Sequence, residues 1–394
     1  MIPTAQLPGQ TSIPGLKAMT ALLANVDPDG LLEYSVVYTD RALNHMSVLY
    51  KGVVREISRL LRTAYDAQSV AIVPGSGTFA MEAVARQFVQ GQPCLVLRNG
   101  WFSYRWTQII EAGRLTERSE VLKARRQGSG VQAPFVPAPL EEVLAAITRI
   151  RPAVVFAPHV ETSSGILLPP EYVRRVGEAV RAVGGLFVLD CIASGTVWVD
   201  MAAQCVDVII SAPQKGWSGP PCCGFVAMNE RARARAGETK SSSFACDLLK
   251  WIQIMETYEQ GGFAYHATPP TVALQGVLAA MLETERFGFA RSAAAAHALG
   301  TDVRTVLARH GYPSVAAEGF GAPGVVVSYT TRADIQSGEA FAKLGLQVAA
   351  GVPLQCDEGE GFRTFRIGLF GLDKIGDSAR TVNLLEAALA GIAG

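Results

Sequence analysis

Three features have the residue types and positions to do chemistry. Lys215, in SAPQKGWSGPP, directly follows the β-branched run DVIIS (207–211) and sits among small residues and a turn. An amine placed there, away from a solvated helix face, can lose its proton and attack a carbonyl. Asp190 ends the apolar run of LFVLDC (186–191). A carboxylate at the end of a buried strand lies where open α/β sheets bind ligands, and burying it alone is costly, so a cationic partner is expected. Gly75-Ser76-Gly77-Thr78 falls between SVAIVP (69–74) and the helical pattern TFAMEAVARQFVQ (78–90). Small residues at a helix N-terminus leave backbone N–H groups open to an anion such as a phosphate.

Each feature alone has an ordinary reading: a tight turn, a helix cap or structural ion pair, a solvated lysine. Together, each at a strand end, they offer what pyridoxal phosphate needs: an anchor for its phosphate, an anion for its ring nitrogen and an amine for the Schiff base. The glycine turn also satisfies the GxGxxA dinucleotide form through Gly75, Gly77 and Ala80. The next strand, CLVLRN (94–99), lacks the acidic residue of that motif. A nicotinamide-dependent oxidoreductase is therefore the distant alternative, and it leaves Lys215 without a role.

Short β-branched runs alternate with helical patterns through AVVFAP (153–158), PEYVRRVGEAVRAVG (170–184), LFVLDC, DVIIS and GFVAM (224–228). Continuous apolar strands between helices predict a mostly parallel sheet covered on both faces. From Thr271 to His310 the pattern is helical, with breaks expected at glycines 276, 288 and 300. VVVSYT (325–330), a helical stretch at 334–344, TFRIGLFG (364–371) and a final helix ending near Ala390 read as a smaller α+β domain. The expected division is an N-terminal segment at 1–20, a large domain at 21–285 and a small one at 286–394.

Lys plus Arg (35) equal Asp plus Glu (35), so no excess charge serves a nucleic acid or an anionic membrane; Lys123, Arg125 and Arg126 read as solvated surface. The low charged fraction, 18%, favours an oligomer over a monomer. The seven cysteines include no CxxC pair, which fits a reducing, cytoplasmic compartment. Adjacent Cys222 and Cys223 without a nearby His do not suit a tetrahedral metal site, so no metal is expected. The first residues show no signal-peptide pattern, and no apolar run reaches membrane-spanning length.

These motifs give the chain a resemblance to the class V, fold-type I pyridoxal-phosphate aminotransferases, the alanine–glyoxylate and serine–pyruvate group. It is carried by PGQTSIP (8–14), GSGTFAMEA (75–83), NGWFSYRW (99–106), HVETSSGILLP (159–169), LFVLDCIAS (186–194), SAPQKGWSGPP (211–221), YHATPP (265–270) and FRIGLFG (365–371). The resemblance implies an α/β fold, with a large domain built on a seven-stranded, mostly parallel sheet and a smaller C-terminal α+β domain. It implies that Ser76, Gly77, Thr78 and Gln214 hold the cofactor phosphate, that Phe102 and Ile192 cover the two ring faces, and that Thr162 lies near the ring hydroxyl. Asp190 meets the ring nitrogen, Lys215 is the catalytic Schiff-base lysine, and Arg366 grips the substrate α-carboxylate. Tyr265 and Thr268 match positions that reach the neighbouring subunit's cofactor, implying a homodimer with shared sites.

The implied reaction moves an amino group from a small alanine- or serine-like amino acid to a 2-oxo acid such as glyoxylate or pyruvate. Departures touch the pocket wall: Phe at the stacking position, Cys222-Cys223 before Gly224, and Ala267 in place of a second His. Arg41 and His45 are candidates to read a second anionic group. The nearer alternative is a cysteine desulfurase or other lyase on the same fold, raised by Cys356 in GVPLQCDEGEG (351–361), a loop expected to be mobile. Against it, Gln214 and Phe102 stand where such relatives carry His.

Overall fold

The computed structural model describes residues 26–393, so PGQTSIP and the 1–20 segment lie outside the described residues. Six apolar runs and the mixed edge segment SEVLK become strands: β1 (Ser69–Pro74), β2 (Cys94–Arg98), β3 (Ser119–Lys123), β4 (Val154–Pro158), β5 (Leu186–Asp190), β6 (Val208–Ser211) and β7 (Cys223–Met228). They form one sheet in the order β1-β7-β6-β5-β4-β2-β3. β7 runs antiparallel to β1 and β6, and every other pair is parallel. Unbroken apolar runs suit this arrangement because both faces of each central strand are buried under helices.

Those helices include α1 (Val48–Tyr65), α2 (Gly77–Phe88), α3 (Trp101–Ala112), α4 (Leu140–Ile150), α5 (Pro170–Ala182), α6 (Glu230–Glu238) and α7 (Leu248–Glu259). In α3 the residues Ser103, Trp106, Ile109 and Ile110 are buried, a spacing that repeats at the helical period. Trp106 stacks on Phe156 of β4 with ring centroids 4.2 Å apart, which fixes the helix against the sheet. Its residues 102 and 105, one turn apart, are thereby turned to the sheet's C-terminal edge.

The helical stretch after Thr271 differs from expectation. It divides once, at Gly288, into α8 (Thr271–Phe287) and α9 (Phe289–Arg309), while Gly276 and Gly300 remain inside helices. Gly300 serves packing: a Cβ there would lie 2.6 Å from the Pro323 carbonyl oxygen. Beyond α9, β8 (Val325–Tyr329), β9 (Ala349–Ala350) and β10 (Thr364–Gly368) form an antiparallel sheet in the order β8-β10-β9. This sheet packs with α9 and α10 (Ser378–Ala393) around a second core that includes Phe341, Phe365 and Leu389. The expected helix at 334–344 is two short helices, Ala333–Ser337 and Glu339–Ala342, joined at Gly338. No helix among the described residues is long and apolar enough to cross a membrane.

Candidate active site

The parallel strands β4, β5 and β6 end at one edge of the sheet, and a cavity of about 230 Å³ opens there. It is lined by Ser76, Gly77, Thr78, Phe102, Thr162, Asp190, Ile192, Gln214 and Lys215, nine of the positions singled out in the sequence. Residues as far apart in the chain as Ser76 and Lys215 meet because α/β connections return every strand to the same edge.

The turn after β1 delivers the N-terminus of α2. Ser76 takes the N-cap position with extended backbone, yet its side chain caps nothing. The amides of Gly77 and Thr78 donate to no carbonyl among the described residues. Gly77 lets the turn pack close to Ile192, since a Cβ there would lie 2.6 Å from Ile192 Cδ1 and that side chain would have to shift. The corner is thus a set of donors facing the cavity, as an anion site requires.

Asp190 is 7% exposed, and its carboxylate accepts one hydrogen bond, from the Ile192 amide at 3.0 Å. The expected cationic partner is not there: no basic group lies within ion-pair distance among the described residues. Burial pushes its pKa up to about 7, and the Ile192 bond and the more distant charge of Lys215 only partly oppose that shift. Lys215, whose side chain also makes no hydrogen bond or ion pair among the described residues, has its pKa depressed by burial. Its Nζ lies 5.0 Å from the Phe370 ring centroid. Burial thus disfavours the charged form of both groups, a setting suited to acid–base chemistry.

Arg366 enters from β10 of the second sheet. Its Nε donates to Ala350 O at 2.8 Å, and its guanidinium carbon lies 5.6 Å from the ring centroid of Phe102; it does not itself line the cavity, but Phe102 does. Burial lowers its pKa, and no carboxylate pairs with it among the described residues. The ordinary reading of a strand arginine as half of a structural ion pair is therefore not the arrangement found, and a forked donor is left for a ligand.

Tyr265 and Thr268 are not brought to this chain's cavity. They bond to each other, Oη to Oγ1 at 2.7 Å, and Tyr265 is 51% exposed. His45 is buried against Tyr38, Phe263 and Tyr265, and Arg41 is exposed; neither lines the cavity.

Two residues without an assigned role in the sequence reading matter here. Glu161, fully buried, accepts from the amides of Phe102 (3.2 Å), Ser103 (2.8 Å) and Ser163 (3.0 Å) and from both serine hydroxyls. A carboxylate on the first turn of α3 satisfies its free N–H groups and so fixes Phe102 against the cavity. Its signal was a single acid within HVETSSG, too little to name a role. Arg105 lines the cavity three residues after Phe102, and only the helical period of NGWFSYRW pointed to it.

The loop around Cys356 is tied down. Cys356 is 4% exposed, its thiol donates to Arg98 O at 3.4 Å, and burial raises its pKa to about 12. Glu358 accepts from the amides of Leu354 (2.7 Å) and Cys356 (2.9 Å), and Lys123 pairs with Asp357 at 2.7 Å. A sulfur nucleophile needs an accessible thiolate, which this site opposes, and the desulfurase alternative loses its main support. The basic cluster is likewise partnered, with Arg125 on Glu142 and Arg126 on the Glu358 carbonyl.

No family model matches the chain. It is 32% identical over 249 residues, 61% of its length, to a curated 2-aminoethylphosphonate--pyruvate transaminase of Burkholderia mallei (strain SAVP1), and the match spans 60% of that relative's length. The structure resembles an alanine--glyoxylate aminotransferase from Nostoc sp. (TM-score 0.76, 23% identity, 90% of this chain and 89% of that one). It also resembles an aspartate aminotransferase of subgroup IV from Thermus thermophilus (TM-score 0.72, 26% identity, 89% and 93%). The architecture is that of the fold-type I aminotransferases, as the sequence motifs implied.

Proposed function

We propose that this chain is a pyridoxal-phosphate-dependent aminotransferase of class V, moving an amino group from a small alanine- or serine-like amino acid to a small 2-oxo acid such as glyoxylate or pyruvate. The observation that carries this reading is Asp190, a buried carboxylate with no cation in ion-pair reach among the described residues, beside a buried lysine of lowered pKa. The protonated ring nitrogen of the cofactor is the missing cation, and the Lys215 amine is the matching nucleophile for its aldehyde.

The residues present fit the group. Ser76, Gly77, Thr78 and Gln214 would take the phosphate, Phe102 and Ile192 the two ring faces, Thr162 the ring hydroxyl, Asp190 the ring nitrogen and Lys215 the aldehyde carbon. Bound there, pyridoxal phosphate supplies an electron sink for the charge left on Cα when its proton departs. With it bound, the Lys215 amine would be placed to take the Cα proton and deliver it to the cofactor's C4′ carbon, a task helped by its depressed pKa. Asp190 holds the proton on the ring nitrogen, and Arg366 orients the substrate carboxylate through its fork. The buried Glu161 keeps Phe102 in place throughout.

The donor has a second reading, 2-aminoethylphosphonate, supported by the likeness to curated relatives of that name. Its phosphonate would then occupy Arg366, with pyruvate as the acceptor. We further propose a cytoplasmic homodimer in which Tyr265 and Thr268 of the partner subunit complete each site. Seven free thiols support the reducing compartment. Exposed Tyr34 (91%), Val48 (87%) and Phe244 (79%), with half-exposed Phe263 and Tyr265, support a face that a second copy covers.

The test is to add pyridoxal phosphate, fix the adduct with borohydride and locate it by peptide mass, expecting Lys215. Single amines, including alanine, serine and 2-aminoethylphosphonate, are then scored by spectral conversion of the cofactor to its amine form. A chain that binds no cofactor, or fixes it at another residue, overturns the proposal.

A further inference from the structure

The phosphate corner of the cavity carries one charge that the proposed site leaves unused. Arg105 lies on α3 one turn after Phe102, and its guanidinium carbon sits 4.7 Å from that ring's centroid. One Nη1 proton goes to Thr78 Oγ1 at 3.1 Å, which ties the arginine to the first turn of α2. No carboxylate pairs with it among the described residues, although it is only partly exposed and lines the cavity.

Its neighbours offer free donors. The amides of Gly77 and Thr78 and the Ser76 hydroxyl have no partner among the described residues. The Thr78 hydroxyl accepts from Arg105 and so has its own proton to give. A corner with one full positive charge, a helix N-terminus and no carboxylate paired to that charge among the described residues is complementary to a group bearing several anionic oxygens, and a phosphate dianion has that character. Stacking on Phe102 and the bond to Thr78 hold the guanidinium plane in place before any ligand arrives, so little rotamer entropy is lost on binding.

We infer that Arg105 is a phosphate-binding residue of the cofactor site, neutralising the phosphate of pyridoxal phosphate beside the α2 N-terminus. This rests on the proposed cofactor. The role is distinct from that of Arg366, which is tied to Ala350 on the second sheet.

The experiment compares the dissociation constants of pyridoxal phosphate and of pyridoxal, which lacks the phosphate, for the full-length cofactor-free chain, Arg105→Ala and Arg105→Lys. Binding is read by quenching of tryptophan fluorescence, with inorganic phosphate as competitor. Arg105→Ala is expected to weaken pyridoxal phosphate by roughly ten- to a hundredfold, the size of a charged hydrogen-bonded contact. Pyridoxal should change by less than about twofold, inorganic phosphate should lose its competition, and Arg105→Lys should recover part of the loss. Equal weakening of both aldehydes would overturn the inference, because the arginine would then act on the ring or the fold. Unchanged cofactor affinity with a raised KM for the oxo acid would overturn it in favour of a substrate role. If the parent chain fixes pyridoxal phosphate at Lys215 while Arg105→Ala binds it normally, only this inference fails; if the parent binds none, the cofactor reading fails and takes the inference with it.

Discussion

Two aspartates on neighbouring strands are buried at opposite ends of the same sheet. Asp207, fully buried just before β6, pairs with Arg231 at 2.7 Å and accepts from Asn229 Nδ2 (2.8 Å) and the Phe187 amide (2.9 Å). Asp190, at the far end of β5, has one amide and no cation. The N-terminal edge therefore closes its charges within the chain, where they serve the fold. At the C-terminal edge Asp190, Lys215, Arg105 and Arg366 all lack an ion-pair partner among the described residues, and a structure tolerates that arrangement where a ligand completes it.

The largest effect expected at the open edge is that of Lys215→Ala. Amino transfer should fall by many orders of magnitude, since nucleophile and proton carrier are lost together, while the melting temperature stays near that of the parent. Near-normal turnover in this variant would remove the reason for treating the edge as catalytic.

Exchanging each aspartate for asparagine tests the contrast directly. Asp207→Asn should leave Arg231 without its counter-charge and cost about 3–5 kcal/mol in urea unfolding. Asp190→Asn should cost the cofactor-free chain little or nothing, because it removes a carboxylate that burial already disfavours, yet slow Cα-proton removal more than cofactor attachment. If the two variants were destabilised alike, the distinction between the edges would collapse.

Arg366→Ala should raise the half-saturating concentrations of amino donor and oxo acid together, by roughly 30- to 150-fold for a loss of about 2–3 kcal/mol. Arg366→Lys should restore part of that loss, since an ammonium cannot reproduce the fork. Steady-state kinetics with both substrates varied decides it; a fall in kcat with unchanged KM would count against carboxylate binding.

The unpaired Asp190 also has a pH signature. Unfolded, it titrates near 3.9, whereas folded it titrates at about 7, so between those values the folded chain binds the extra proton. Its contribution favours the fold at low pH and is lost as pH rises through 7, by an amount on the order of a few kcal/mol. Urea unfolding of the cofactor-free parent and of Asp190→Asn at pH 5 and pH 8 isolates it: the parent should lose more stability over that interval. The smallest effect is expected from Cys356→Ala, whose amino-transfer rate should stay within about twofold of the parent because the thiol is sealed under the 354–358 turn. Sulfide release from cysteine by the parent, abolished in this variant, would reopen the lyase reading.

The sequence by itself determined the sheet and much of the site. Unbroken β-branched runs can be satisfied only between two helical layers, and small residues, Asp190 and Lys215 at the ends of those runs converge once the strands are parallel. It misjudged the stem, where Gly276 and Gly300 looked like breaks, because close helix contact and chain reversal call for the same residue. It also left open where the cationic partner of Asp190 lies, and it gave Cys356 a mobile loop. Partners, burial and pinning depend on contacts between segments distant in the chain: Cys356 meets Arg98, and Glu161 reaches back to the first turn of α3. Charge is visible in a residue's name; whether the fold leaves that charge paired, as at Asp207, or open to a ligand, as at Asp190 and Arg105, is decided only when the strand edges and helix termini come together.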